Sequence, residues 1–395
     1  MDGLSRFLEP PRLRTAAAGR YEERHATWLE LFFDLVFVVA IAELGTSFAH
    51  DVSVRGFLIY AGLFVPVMWA WAGFAFYATR FDTDDLVYRV FTFLGMFGVA
   101  ALATTIPAVF KGHPNGFALS YACIRIVIVL LYARARRHVP EARGVANWFI
   151  GMFSVAIVLW FVSLAIAAPW KYVWWAVALG HELAAPPRAW RMLRGAPIHP
   201  SHIPERFGLL TIIVLGEAVI SVVMGTVDVS WTVATGTTAF VGFVLAASLW
   251  WIYFEYVDST VVSRDVLRGM TFVYAHFPVV IGIASMGVGV RFAIISAGPG
   301  DAYAHTGWVL AVGTAMCMTG IGLIQLATGP AVFDVDVALR FATAAVAVVL
   351  AALTNVLSPV TVLWLVAAAA LLQVVVELVG HESHQAAAPV PADPA

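Results

Sequence analysis

Twelve apolar stretches divide this chain, each about 20 residues long, the length a helix needs to cross about 30 Å of hydrocarbon. They fall near residues 28–48, 56–78, 87–110, 117–134, 147–168, 171–188, 207–227, 232–257, 267–292, 305–328, 337–357 and 359–380. A bilayer interior offers the backbone no hydrogen-bond partner, so such stretches are dictated to be helical. The expected fold class is all-α: a polytopic transmembrane helical bundle of about twelve helices. His181 and Glu182 interrupt the sixth stretch and Pro186-Pro187 end it, so ten or eleven crossings stay open.

Composition matters here for what it excludes. Only 12% of the residues are charged, against roughly 25% in a soluble domain. Basic and acidic residues number 23 and 25, a balance that gives no reason to expect a nucleic-acid partner. Cys123 and Cys317 lie in apolar runs and read as small core residues, too few for a disulfide framework. The first apolar run starts near Thr27 and carries acids, so it reads as a retained first span rather than a cleaved leader.

Arginine placement orients the bundle. Eighteen of the 23 basic residues fall in alternate loops and the N-terminal tail, on one side of the expected spans; only Arg55, Lys111, Lys171 and Arg291 fall opposite. Basic residues concentrate in cytoplasmic loops, so both termini are expected in the cytoplasm. The expected organisation is an Arg-rich cytoplasmic tail at 1–26, where Pro10, Pro11 and Gly19 discourage a helix, and a first six-helix half at 27–190. A linker at 191–206, a second six-helix half at 207–380 and a disordered cytoplasmic tail at 381–395 follow. Glu23-Arg24 and Glu205-Arg206 precede comparable spans at a shift of 182, and each leads to a buried acid ten or eleven residues on. Trp71 and Asp85 match Trp251 and Asp265 at a shift of 180. These pairs suggest a parallel six-plus-six repeat.

Ionisable residues inside the spans are the candidate functional groups, because a charge in hydrocarbon normally faces a water path, a partner or the bundle interior. Glu30 and Asp34 lie four residues apart on one face of the first helix. Glu217 is the single charge of residues 207–223, and Arg125, Glu182 and His276 sit well inside their own helices. Two readings stay open. One is a fixed ion pair of Arg125 with Asp34 or Glu217 that locks the bundle; the other is a proton relay or ion path. Glu30 also fits as a first-turn acid favoured by the helix dipole, and His276, beside Pro278, as a hydrogen-bonded packing residue.

Other patterns read more plainly. His199-Pro200-Ser201-His202 and His381-Glu382-Ser383-His384 have metal-ligand spacing but only two imidazoles each, so neither metal nor cofactor is expected. Trp69, Trp71, Trp174, Trp175, Trp250 and Trp251 lie toward span ends and read as an interfacial belt. Gly282, Ser285, Gly287 and Gly289 offer a small-residue face for close helix contact, with a hinge as the alternative.

The residues Trp28-Leu-Glu-Leu-Phe-Phe-Asp-Leu-Val-Phe-Val-Val-Ala-Ile41, His199-Pro-Ser-His202, Glu205-Arg206-Phe-Gly-Leu, Ile213-Val-Leu-Gly-Glu217 and Trp250-Trp-Ile-Tyr-Phe254 resemble the bacterial low temperature requirement protein A family. The resemblance covers nearly all of the chain between its tails. It implies a multi-pass protein of the bacterial plasma membrane linked to growth in the cold, and it implies no particular activity. Phe32-Phe33-Asp34-Leu35-Val36-Phe37 is also similar to the first-helix motif of the endolysosomal potassium channel family, which is built of six-helix repeats. In those channels the motif's acid and hydroxyl belong to a network supporting a pore-lining helix. Here Phe33 replaces the hydroxyl residue, and Phe207–Val223 lacks the Phe-Ser-Asp pattern.

The expected function is transport or conduction of a small solute or ion by way of buried carboxylates. A membrane-embedded enzyme acting on lipid, with His199 and His202 near the interface, is one alternative. A non-transporting scaffold is the other, favoured if every buried charge is paired. The expected partners are the lipid bilayer and the transported solute or ion, and a homo-oligomer stays open.

Overall fold

Thr27 starts the first helix, α1 (Trp28–Ala49), through a capping box: its hydroxyl accepts from the Glu30 amide and the Glu30 carboxylate accepts from the Thr27 amide. The same device, a short polar side chain satisfying free N–H groups, opens several of the helices that follow. Ser53 caps α2 (Val54–Arg80), and Asp85 caps α3 (Leu86–Phe110). In the computed structural model of the chain, the described residues are 9–13, 26–82, 84–189, 192, 202–227, 229–255, 266–298, 303, 305–328 and 334–387. Glu23, Arg24, His199, Ser201, Asp265 and residues 388–395 lie outside them, as do the side chains of His381 and His384.

After α3 come α4 (Asn115–His138), a 3₁₀ turn at Pro140–Ala142, α5 (Arg143–Leu164), α6 (Trp170–Leu183) and α7 (Ala185–Arg188). The remainder is α8 (His202–Val227), α9 (Val233–Phe254), α10 (Val266–Ser296), α11 (Gly307–Thr328), α12 (Val335–Ala352) and α13 (Pro359–Ala387). The chain is an all-α, polytopic bundle in which eleven described helices, α1–α5 and α8–α13, are long and apolar enough to cross a membrane. The sixth expected span differs. Its helix, α6, has only 14 residues, because Pro186 and Pro187 cannot continue it and instead occupy the first turn of α7. At the other end, α13 runs past the expected boundary at 380 to Ala387.

Two compact units make up the described chain: residues 1–214 with 259–277, and residues 215–258 with 278–395. In the first unit the outward residues Leu35 and Val39 of α1, Leu94 and Phe97 of α3, and Val155 and Val158 of α5 are exposed. Its inward residues Phe33, Phe37, Ile106, Phe117 and Ile128 are apolar as well. Such all-round apolarity suits hydrocarbon and would leave large patches in water. Cys123 is one of the outward residues, against the core role expected for it, whereas Cys317 is buried. The N-terminal tail contributes a short extended piece: Arg12 and Leu13 pair antiparallel with Asp82 and Phe81, and the Glu9 carbonyl accepts from Arg134 at 3.0 Å.

The second unit is organised around α10, whose residues 279–290 are all buried. Gly282 is where α11 crosses it. A Cβ at Gly282 would stand 2.5 Å from the Gly313 carbonyl oxygen, and one at Gly313 would stand 2.8 Å from the Gly282 carbonyl oxygen. Backbone meets backbone at that point, as small-residue faces permit within membranes. Elsewhere in the unit, Arg340 of α12 pairs with Glu377 of α13. The Arg340 Nη2 lies 3.2 Å from Glu377 Oε2, and Gln373 donates to Glu377 at 3.1 Å and accepts from Thr343 at 2.9 Å.

Candidate functional site

On an α-helix, residues four apart share a face. Glu30 and Asp34 therefore project together from α1, and His202 and Arg206 project together from α8. The structure puts the two faces against each other. Arg206 Nη2 donates to Asp34 Oδ1 at 2.5 Å, and Arg206 Nη1 lies 3.4 Å from Glu30 Oε1. The His202 Nε2 lies 3.6 Å from the same Glu30 oxygen, while its Nδ1 meets the Thr79 hydroxyl of α2 at 2.8 Å. Trp71 of α2 donates its indole N–H to Asp34 Oδ1 at 2.7 Å. One residue outside the cluster, the Glu205 carboxylate accepts from the Ala26 amide at 3.0 Å and ties the approach of α1 to α8.

All five polar side chains at the centre are buried; Asp34 and His202 are 0% exposed and Arg206 1%. An aromatic wall closes one flank. The Phe207 ring stands 4.8 Å from Trp71 and 4.5 Å from His276, and His276 packs 4.4 Å from Phe272. His276 Nδ1 meets the Phe272 carbonyl at 2.6 Å, the packing role expected for it. Among the described residues, the cluster holds two carboxylates and one guanidinium. Asp34 Oδ1 takes both nearby donors, and Asp34 Oδ2 is left buried with no hydrogen-bond partner among the described residues.

The other candidates are placed apart from this cluster. Arg125 does not pair with Asp34 or Glu217, the partners expected for it. Its Nη2 lies 2.9 Å from Glu182 Oε2, both side chains being fully buried, and Tyr121 donates to the same oxygen at 2.9 Å. The guanidinium carbon stacks 4.1 Å from the Phe153 ring centre, a cation–π contact that supplements the single carboxylate. Gly73 of α2 makes room for it, since a Cβ there would come within 2.8 Å of Arg125 Nη1. Glu217 belongs to the second unit, is half-exposed beside Gly216 and Ile220 on α8, and makes no hydrogen bond or ion pair among the described residues.

Two residues of the cluster read differently in sequence. Trp71, assigned there to an interfacial belt, is fully buried. Arg206 counts as a loop charge by its position before an apolar run, yet α8 begins at His202 and carries it inward. Its spacing of four from His202 is the signal that matches the Glu30–Asp34 spacing on α1. Arg340 and Glu377 escape notice in the same way, the first as a flanking charge and the second as an acid near a helix end. No group of three or more His, Cys, Asp or Glu residues with metal-binding placement occurs among the described residues.

Comparison with known proteins places these helices in company. Residues 25–376 match the model of the family described as bacterial low temperature requirement A protein (LtrA). The chain is also similar to a protein of Rhizobium meliloti (strain 1021) named as uncharacterized protein RA0937, with 29% identity over 306 residues that cover 70% of this chain and 74% of the relative.

Proposed function

The chain belongs to the bacterial low temperature requirement A family, and we propose that it is a transporter or channel for a small ion or solute, with Asp34 binding a proton or small cation. One observation carries this reading. Among the described residues, Asp34 Oδ2 is buried and unpartnered in a cluster whose carboxylates outnumber its guanidinium. A buried carboxylate oxygen left without a donor is costly. A proton or a small cation is the species that would satisfy both the oxygen and the charge. His202, which bridges Thr79 and Glu30, is placed to pass a proton, because imidazole changes charge near neutral pH.

The scaffold reading draws its support from the pairs Arg125–Glu182 and Arg340–Glu377. In each of them charge is balanced one to one. We assign those two pairs to holding the helices and the α1–α2–α8 cluster to transport. The lipid-enzyme reading loses ground because His202 is fully buried against Thr79 rather than open at a rim.

The proposal includes residence in the bacterial plasma membrane with both termini cytoplasmic. The basic asymmetry supports that orientation. That orientation needs a twelfth crossing, and we assign it to residues 170–188, which comprise α6, Ala184 and α7 and whose helical rise sums to about 28 Å. Purified full-length protein in liposomes, given a pH gradient and a panel of monovalent cations and small organic solutes, tests the reading. Protein-dependent flux of protons or of one panel member is expected. A tight membrane with no flux beyond that of empty liposomes, for every member, contradicts it.

A further inference from the structure

Five cations are buried among the described residues: Arg80, Arg125, Lys171, Arg206 and Arg340. Three of them have a carboxylate, as described above. Lys171 rests its ammonium on the Asn115 carbonyl oxygen. Arg80 is the remaining guanidinium; it is 3% exposed and has no ion pair among the described residues. Its one hydrogen bond is from Nη1 to the Tyr132 hydroxyl at 3.4 Å, and its Nε has no partner. The Phe149 ring lies 5.6 Å from the guanidinium carbon. The position in the last turn of α2 lets the helix dipole offset part of the charge, but a dipole supplies no acceptor for the free N–H.

The neighbouring hydroxyls keep protons to donate. Tyr132 accepts from Arg80 and so retains its own O–H to donate. Tyr77 packs against Tyr132 with ring centres 5.3 Å apart, and its hydroxyl is buried without a partner. Arg136 is one turn beyond Tyr132 on α4, and it is exposed together with Arg137 and Arg143 at the same end of α4 and α5. Arg134, which could compete for an anion, is already held by Asp85 at 2.7 and 2.9 Å.

We propose that Arg80, Tyr132 and the exposed Arg136, Arg137 and Arg143 form a binding site for a phosphate-class anion at the α2–α4–α5 end of the first unit. A tetrahedral oxyanion accepts from several donors at once. Its charge meets a guanidinium that no described carboxylate pairs with, and arginine forks suit phosphate geometry. A phospholipid headgroup and free phosphate share this chemistry.

The test uses full-length protein in phosphatidylcholine nanodiscs, with thermal melting as the readout. One arm adds inorganic phosphate, a second adds phosphatidylglycerol to the bilayer, and a third adds chloride at matched ionic strength. Wild-type protein is expected to gain melting temperature with phosphate, phosphatidylglycerol or both, beyond the chloride arm. A gain confined to phosphatidylglycerol identifies a headgroup site, and a gain with phosphate identifies a site open to the free ion. Arg80→Gln is expected to weaken the response about tenfold in half-saturating concentration, the size of a lost charged hydrogen bond, and Arg80→Lys to restore part of it. The proposal fails if wild type responds to neither phosphate source beyond chloride. It fails equally if folded Arg80→Gln keeps the full response. The wild-type arms decide the matter even where the variant does not fold.

Discussion

Arg206→Ala is expected to remove most folded protein from the membrane. The change strands Asp34 as a buried acid and takes from Glu30, on the same helix face, its contact with Arg206. Breaking a buried pair typically costs about 3–5 kcal/mol, because the surviving charge is left uncompensated. That is a large part of the total stability of a domain. Adding Asp34→Asn to Arg206→Ala should recover part of the folded yield, since the amide still accepts from Trp71 while the charge is gone. Detergent-solubilised yield and melting temperature, measured for the single and double variants, check this. Recovery with Asp34→Asn and none with Glu182→Gln is the specific expectation, because Glu182 answers to a different arginine.

The complementary loss is at Arg125. Arg125→Ala leaves Glu182 fully buried with only neutral donors and opens a void between Gly73 and Phe153, so a cost of about 3–5 kcal/mol is expected here too. Glu182→Gln on the same chain should restore part of the folded yield, whereas Asp34→Asn or Glu217→Gln should not. A double-mutant cycle on melting temperature separates these outcomes, since groups far apart add and groups in contact couple. Coupling between Arg125 and Asp34, or its absence between Arg125 and Glu182, would contradict the pairing described here.

The helices were legible in the sequence because hydrocarbon sets their length and apolarity. Eleven of the twelve expected spans are helices of the required length and composition, and α6 departs where Pro186 and Pro187 act locally. Candidate charges were legible one at a time, since a carboxylate within an apolar run is conspicuous. Their partners were not. Helical periodicity fixes which residues of one helix share a face, but it carries no information on which other helix meets that face. Arg206 and Arg340 sit near the ends of apolar runs, where the same side chain can reach toward headgroups or turn inward. Only packing chooses between those directions. Trp71 shows the same ambiguity, as a tryptophan toward a span end serves equally as an interfacial anchor or as a buried indole donor. The matched spacing of four in Glu30–Asp34 and His202–Arg206 was present in the sequence, and it becomes meaningful once α1 and α8 are known to touch.

Under the proposed function, the carboxylate of Asp34 acts in transport beyond its part in holding α1 against α8. Asp34→Asn keeps the side chain's shape and its acceptor for Trp71 and Arg206, and Glu30 remains within 3.4 Å of that guanidinium. Flux in liposomes, expressed per folded molecule and paired with the melting temperature, is the direct measurement. A melting temperature within a few degrees of wild type is expected, as for a change of about 1 kcal/mol, with flux reduced to the level of empty liposomes. Wild-type flux from folded Asp34→Asn protein, or flux that falls only in proportion to folded protein, would contradict it.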